Sequence, residues 1–176
     1  MKRLTVVLLA LLTYSAVADD GDHQRFNRCG VATYDEQVYL RCANDPENEY
    51  STSFALRYAV HEEMRYMVGL RLWKFKDTPH HSAPTIEVRY LFDPDGIVQV
   101  LKEAKQTFNW NNDMATKFLS ESEWDSLMDQ LSGAEYMGIN LLFDTVEDMD
   151  VVMLFGIDQA LAEFKQRVAK LNSIYR

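Results

Sequence analysis

Three observations predict an α+β protein, mainly antiparallel and sandwich-like sheet with two amphipathic helices in the C-terminal half. Most of the chain alternates apolar and polar residues with the two-residue period of strands. A helical period appears twice, both times after residue 119. Strands do not alternate with helices, so a parallel sheet has no support.

The elements follow in order. "QVYLRCA" (37–43) sets Val38, Leu40 and Cys42 against Tyr39 and Arg41, the pattern of a strand buried on one face. "CANDPENEYS" then interrupts it with the turn formers Asn44, Asp45 and Pro46. The first half of "FALRYAVHEEMRYMVGLRLWKF" is compatible with a helix, but Tyr66, Val68, Leu70 and Leu72 alternate with Arg65, Met67, Gly69, Arg71 and Trp73 as a strand does, and two strands joined near His61-Glu62-Glu63 are expected. Pro79 and Pro84 make 76–84 a loop, since proline cannot donate to a sheet ladder. "TIEVRYLFD" is the clearest strand, with Ile86, Val88, Tyr90 and Phe92 on one face. "IVQVLKEAKQTFNW" reads as extended or short helical structure, and "MATKFL" as a short strand.

Ser120 to Glu123 forms a capping box that starts a helix bearing Trp124, Leu127, Met128 and Leu131 on one face, and Gly133 ends it. Two strands, "EYMGINLLFDT" and "DMDVVMLFGI", are joined through "VED". Asp158 is the expected cap of a last helix with the stripe Leu161, Phe164, Val168 and Leu171. Trp73, Trp110 and Trp124 are expected in the core.

Lys2 and Arg3, an apolar run from Leu4 to Leu12, and Ala16-Val17-Ala18 read as a secretory signal peptide over 1–18. The run is too short to span a bilayer. The expected organisation is then a flexible polar segment over 19–28 and a single domain over 29–174. Losing Lys2 and Arg3 with the leader takes the formal charge from −9 to −11. Such an excess argues against nucleic acid or anionic lipid as ligand, because phosphate contacts need clustered Lys and Arg, and leaves a basic protein partner open. Export to the Gram-negative periplasm, or secretion, exposes Cys29 and Cys42 to oxidation, and a disulfide between them is expected. Closing a loop of that length stabilises by about 3 kcal/mol in the chain-entropy model. The spacing is too long for a redox pair, and two cysteines with scattered histidines do not make a zinc set.

Chemistry-bearing clusters are few. "FDPDG" (92–96) offers two carboxylates, but an EF-hand also needs a terminal bidentate glutamate, and Ile97-Val98-Gln99-Val100 follows instead. Asp93-Pro94-Asp95-Gly96 is therefore expected to be a turn. His80-His81-Ser82 has the atoms for metal ligation or for a base beside a hydroxyl, yet neither an orienting acid nor an oxyanion site is indicated by spacing. A solvated loop open to a partner is the expectation for His80 and His81. Asp144, Glu147, Asp148 and Asp150 surround the last hairpin, with the composition of a cation-binding cluster, of a contact for a basic partner, or of a charged turn that blocks edge pairing, and the last is the expectation. The chain has no P-loop, nucleophile elbow or zinc signature, and a non-catalytic protein without a cofactor is expected.

"CGVATYDEQVYLRCAND" resembles the paired-cysteine opening of periplasmic proteins of the VasI/TagO type, associated with type VI secretion, and "EVRYLFDPDG" resembles their strand and turn. Trp110, the helix from Ser120 to Leu131, the hairpin and "FGIDQALAEF" follow in the order of that group. The motifs are permuted: Arg41 follows Leu40, and Ala43-Asn44 follows the second cysteine. IalB-like periplasmic proteins end in a similar strand and helix. The resemblance implies a non-catalytic, protein-binding accessory of a secretion or cell-envelope machine. An alternative is an immunity or inhibitor protein against a cell-wall-degrading enzyme, with His80, His81, Glu147 and Asp148 on the contacting loops.

Overall fold

The computed structural model describes residues 22–48, 51–61, 63–72, 85–92, 99–106, 108–111, 114–142 and 147–175, with backbone alone for 85–92, 99–106, 109–111, 142, 147 and 148. Eleven strands are formed by these residues: β1 (Asp22–Phe26), β2 (Cys29–Tyr34), β3 (Gln37–Ala43), β4 (Ser53–Ala59), β5 (Tyr66–Arg71), β6 (Thr85–Phe92), β7 (Gln99–Gln106), β8 (Asn109–Asn111), β9 (Met114–Leu119), β10 (Tyr136–Leu142) and β11 (Glu147–Met153). Two helices join them, α1 (Glu121–Leu131) and α2 (Ile157–Ile174). One sheet has the order β1-β2-β3-β4-β5-β9-β8, the other β11-β10-β6-β7. Every strand pair is antiparallel, so the α+β class and the antiparallel sheet are as expected. Within the stretch 97–110, the described residues form strands β7 and β8, with Phe108 between them.

One apolar cluster unites both sheets and both helices. Val31, Val38, Leu40, Phe54, Leu56, Val68 and Leu70 come from the larger sheet, Met137, Ile139, Leu141 and Val152 from the smaller one. Trp124, Leu127, Met128 and Leu131 of α1 and Leu161, Phe164 and Leu171 of α2 complete it, the stripes read from helical spacing. Trp124 anchors the join between helices and sheet, its ring 5.7 Å from Phe164 and 4.9 Å from Tyr66.

The central strands depart from the one-face expectation. Tyr39, Ala55 and Met67 form a second buried cluster on the opposite face of the larger sheet, against Met114 and Phe118. Arg41 and the fully buried Arg57 lie on that face too, and the Arg57 guanidinium sits 6.0 Å from the Phe118 ring centroid. Alternating polarity marked the Tyr39/Arg41 face as solvent-facing. Aromatic and arginine side chains bury long apolar stems as readily as they meet water, and here packing buries them.

The flexible segment expected over 19–28 is, from Asp22 on, an edge strand. Five register pairs tie β1 to β2, although its own side chains are mostly exposed. Arg167 of α2 holds it from the other side: Nε donates to Glu163 Oε1 at 2.6 Å, Nη1 to Thr33 Oγ1 at 3.4 Å and to the Asp22 carbonyl. Backbone pairing and one buried arginine order a segment whose composition reads as loop.

Both helix termini depend on particular residues. Ser120 Oγ accepts from the Glu123 amide and the Glu123 carboxylate accepts from the Ser120 amide, the reciprocal box expected. Asp158, in contrast, does not cap its own helix. Gly156 occupies the N-cap position with φ +90°, and the Asp158 carboxylate instead accepts the Gly133 amide at 3.0 Å, linking the end of α1 to the start of α2.

Candidate interaction surfaces

The disulfide is present. Cys29 and Cys42 lie directly opposite one another on β2 and β3, both within the core. They flank the joint between the two sheets. Arg28 donates its amide to the Phe155 carbonyl at 3.0 Å and its guanidinium to the Asn44 carbonyl at 2.6 Å. Asn44 then occupies the outer edge of β11, where its Nδ2 donates to Val151 O at 2.7 Å and its Oδ1 accepts from Met153 N at 2.8 Å. Thr52 adds a hydroxyl bond to Asp150 Oδ2 at 2.9 Å. A side-chain amide sets an N–H donor beside a carbonyl acceptor, as a peptide group does, so Asn44 completes the ladder at an edge where no further strand pairs among the described residues.

The predicted contact residues have different fates. Glu147 and Asp148 belong to β11 itself rather than to the preceding turn, since the β10–β11 ladder already pairs Leu142 with Glu147. The connection is thus residues 143–146, which lie outside the described residues, as do His80, His81, Trp73 and the Asp93–Gly96 tetrapeptide. On β11, Val152 faces the core, whereas Met149 and Val151 point the other way and are 67% and 41% exposed. Asp150 is held by Thr52 and by the Val151 amide.

Large exposed hydrophobic side chains among the described residues occur in two places. Met149 and Val151 make the first; Tyr34, Met64, Ile174 and Tyr175 lie at one end of the larger sheet. Spacing alone did not single out this second group, because its members come from a strand end, a strand connection and a helix end.

Geometry at the sheet end is set by the two-residue turn between β2 and β3, where Asp35 and Glu36 adopt φ of +44° and +63°, as the favoured hairpin turn requires. The Glu36 carbonyl accepts the Val60 amide at 3.4 Å. Its carboxylate accepts the Tyr175 hydroxyl at 2.5 Å and sits 3.6 Å from His61 Nε2. The His61 and Tyr175 rings meet edge to face at 4.7 Å. Hydrogen bonding to Glu36 raises the Tyr175 phenol above its ordinary value, because the bond uses the proton. Just inside, Tyr58 donates to Asn172 Oδ1 at 2.6 Å, and Tyr66 stacks 5.5 Å from Tyr58. Burial raises the Tyr66 phenol, with Glu121 next and Asp125 adding to it, while Arg65 opposes.

Among the described residues no group of three or more His, Cys, Asp or Glu side chains is placed to hold a metal ion. No helix among them is long and apolar enough to cross a membrane. Comparison with protein-family models, with curated proteins and with solved structures finds no match.

Proposed function

We infer that this is a non-catalytic protein of the cell envelope that binds another protein, an accessory of a secretion or envelope machine. The observation that carries the reading is the outer face of β11, where Met149 and Val151 are exposed on one side of the strand at the edge of the smaller sheet. Two exposed apolar side chains on one face of an ordered strand are the composition of the apolar centre of a small contact surface. Bonds from Asn44 and Thr52 hold the strand in place, so little order must be gained on binding. The leader-like N-terminus, the oxidised cysteine pair and the resemblance to VasI/TagO-type proteins support an envelope location.

Excess negative charge favours one variant of this reading, an immunity or inhibitor protein. Enzymes that act on anionic peptidoglycan are often basic, and an acidic binder is steered toward them. A photo-crosslinker at Met149, with a control at the exposed Lys165 of α2, tests the reading in envelope extract. An adduct of one defined mass from Met149 alone is expected, and it should disappear in Val151→Asp. Peptidoglycan digestion assays then separate accessory from inhibitor, since only an inhibitor protects the wall. Adducts from both positions alike, or hydrolysis by the purified protein itself, would overturn the assignment.

A further inference from the structure

The end of the larger sheet has the chemistry to recognise cationic side chains. Tyr66, Tyr175 and His61 offer ring surface, and Met64 and Ile174 are 54% and 63% exposed beside them in the chain or on the same helix end. Carboxylates are carried on the same elements: Asp35 and Glu36 in the β2–β3 turn, where Glu36 bonds Tyr175 and faces His61, Glu63 in the β4–β5 connection, and Glu121 and Asp125 on α1, whose Trp124 ring lies 4.9 Å from Tyr66. Arg65 and Lys170 are exposed cations on these elements; Arg57, which donates to the Met64 carbonyl at 3.3 Å, is fully buried, and Lys117 is paired with Glu123, so acids outnumber the exposed bases. A lysine or arginine side chain has an apolar stem and a cationic head, and gains from apolar surface, from aromatic faces and from carboxylates together. Acidic groups alone attract any cation; the aromatic and apolar components select one carried on a long stem.

Resting on the protein-binding reading, but placing a second contact away from β11, we propose that this sheet end docks a lysine- or arginine-bearing segment of a protein partner. Met64 and Ile174 receive the stems, while Glu63, Glu121 and Asp125 pair with the heads. Glu36 keeps the Tyr175 ring in position through the hydroxyl bond at 2.5 Å. The turn between β2 and β3 thus orients the surface as well as reversing the chain.

Fluorescence anisotropy of the oxidised chain with a short labelled peptide alternating lysine and leucine, and with its glutamate–leucine counterpart, tests this. Wild type binds the lysine peptide alone. Met64→Ser with Ile174→Ser weakens binding about tenfold or more, as does Glu63→Gln with Glu121→Gln, the scale expected for losing central contacts. Met149→Ser with Val151→Ser leaves it unchanged, and circular dichroism verifies folding of each variant. Loss in the Met149/Val151 variant alone would place the docking on β11, overturning this proposal and sparing the protein-binding reading. Equal binding by all variants would mean diffuse charge attraction and would also overturn it. Absence of peptide binding by wild type overturns it too, while crosslinking at Met149 decides the broader reading separately.

Discussion

Replacing Gly156 with alanine should be among the most damaging single-methyl changes in the described residues. Gly156 has φ +90°, and a Cβ built there would lie 2.2 Å from the Phe26 carbonyl oxygen and 2.8 Å from its carbon. Two costs combine. A left-handed backbone costs a residue with Cβ about 1–2 kcal/mol, and forcing a carbon into an occupied space costs about 1–3 kcal/mol in strain and backbone shifts. The obstructing atoms are backbone, at the end of β1 where Arg28 N also bonds Phe155 O, so they do not rotate away. Gly156→Ala should therefore lose about 3–4 kcal/mol.

Gly133 supplies the control. Its φ is +74° with nothing within 4 Å of an added Cβ, so Gly133→Ala should lose only the conformational part, about 1 kcal/mol. Urea unfolding of the oxidised chain, read by tryptophan fluorescence and circular dichroism at constant m, measures both. In thermal unfolding, at about 2–4 °C per kcal/mol for a chain of this size, the two melting temperatures should separate by roughly 4–12 °C. Equal destabilisation of the two variants would refute the steric argument and show that the β1–α2 contact yields without cost.

Asn44→Ala should cost about 1–3 kcal/mol and accelerate hydrogen exchange at the Met153 amide before that of the β10–β11 ladder, because the side chain bonds Val151 and Met153; unchanged exchange there would remove Asn44 from the joint. Replacing Cys29 and Cys42 with serine should lower stability by about 3 kcal/mol or more, since the crosslink closes a short loop and both sites are buried, and thermal unfolding measures it. Glu123 is held down to about 2, chiefly by its bond to Lys117 and then by those to Ser120. A depressed carboxyl stabilises the fold above its unfolded value and loses that contribution as pH falls through the folded one. The difference between wild type and Glu123→Gln should thus shrink from about pH 4.5 to about pH 2. The group is well exposed, so the effect stays within about 1 kcal/mol at neutral pH; acid titrations that run parallel would contradict it.

Periodicity and capping chemistry are local, and they identified what is local here: the strands at Gln37–Ala43 and Thr85–Phe92, the strand pair at His61, the Ser120 capping box and both helical stripes. Oxidation chemistry likewise paired Cys29 with Cys42 without any coordinates. Other features depend on neighbours remote in the chain. "DHQRF" becomes β1 because β2 offers a free ladder and Arg167 fastens it, not through any pattern of its own. Asn44 looks like a turn former among turn formers, yet its amide completes an edge more than a hundred residues away. Asp158 reads as a cap, but the helix begins at Ile157 with Gly156 at the N-cap, and the Asp158 carboxylate accepts the Gly133 amide across the α1–α2 gap instead. Tyr39, Arg41 and Arg57 alternate as solvent-facing residues do, and only packing on the second face makes them core. The candidate surfaces divide in the same way. The acids of β11 lie within four residues of one another and are readable, while the aromatic sheet end exists only because antiparallel pairing brings two strand connections, α1 and the close of α2 together.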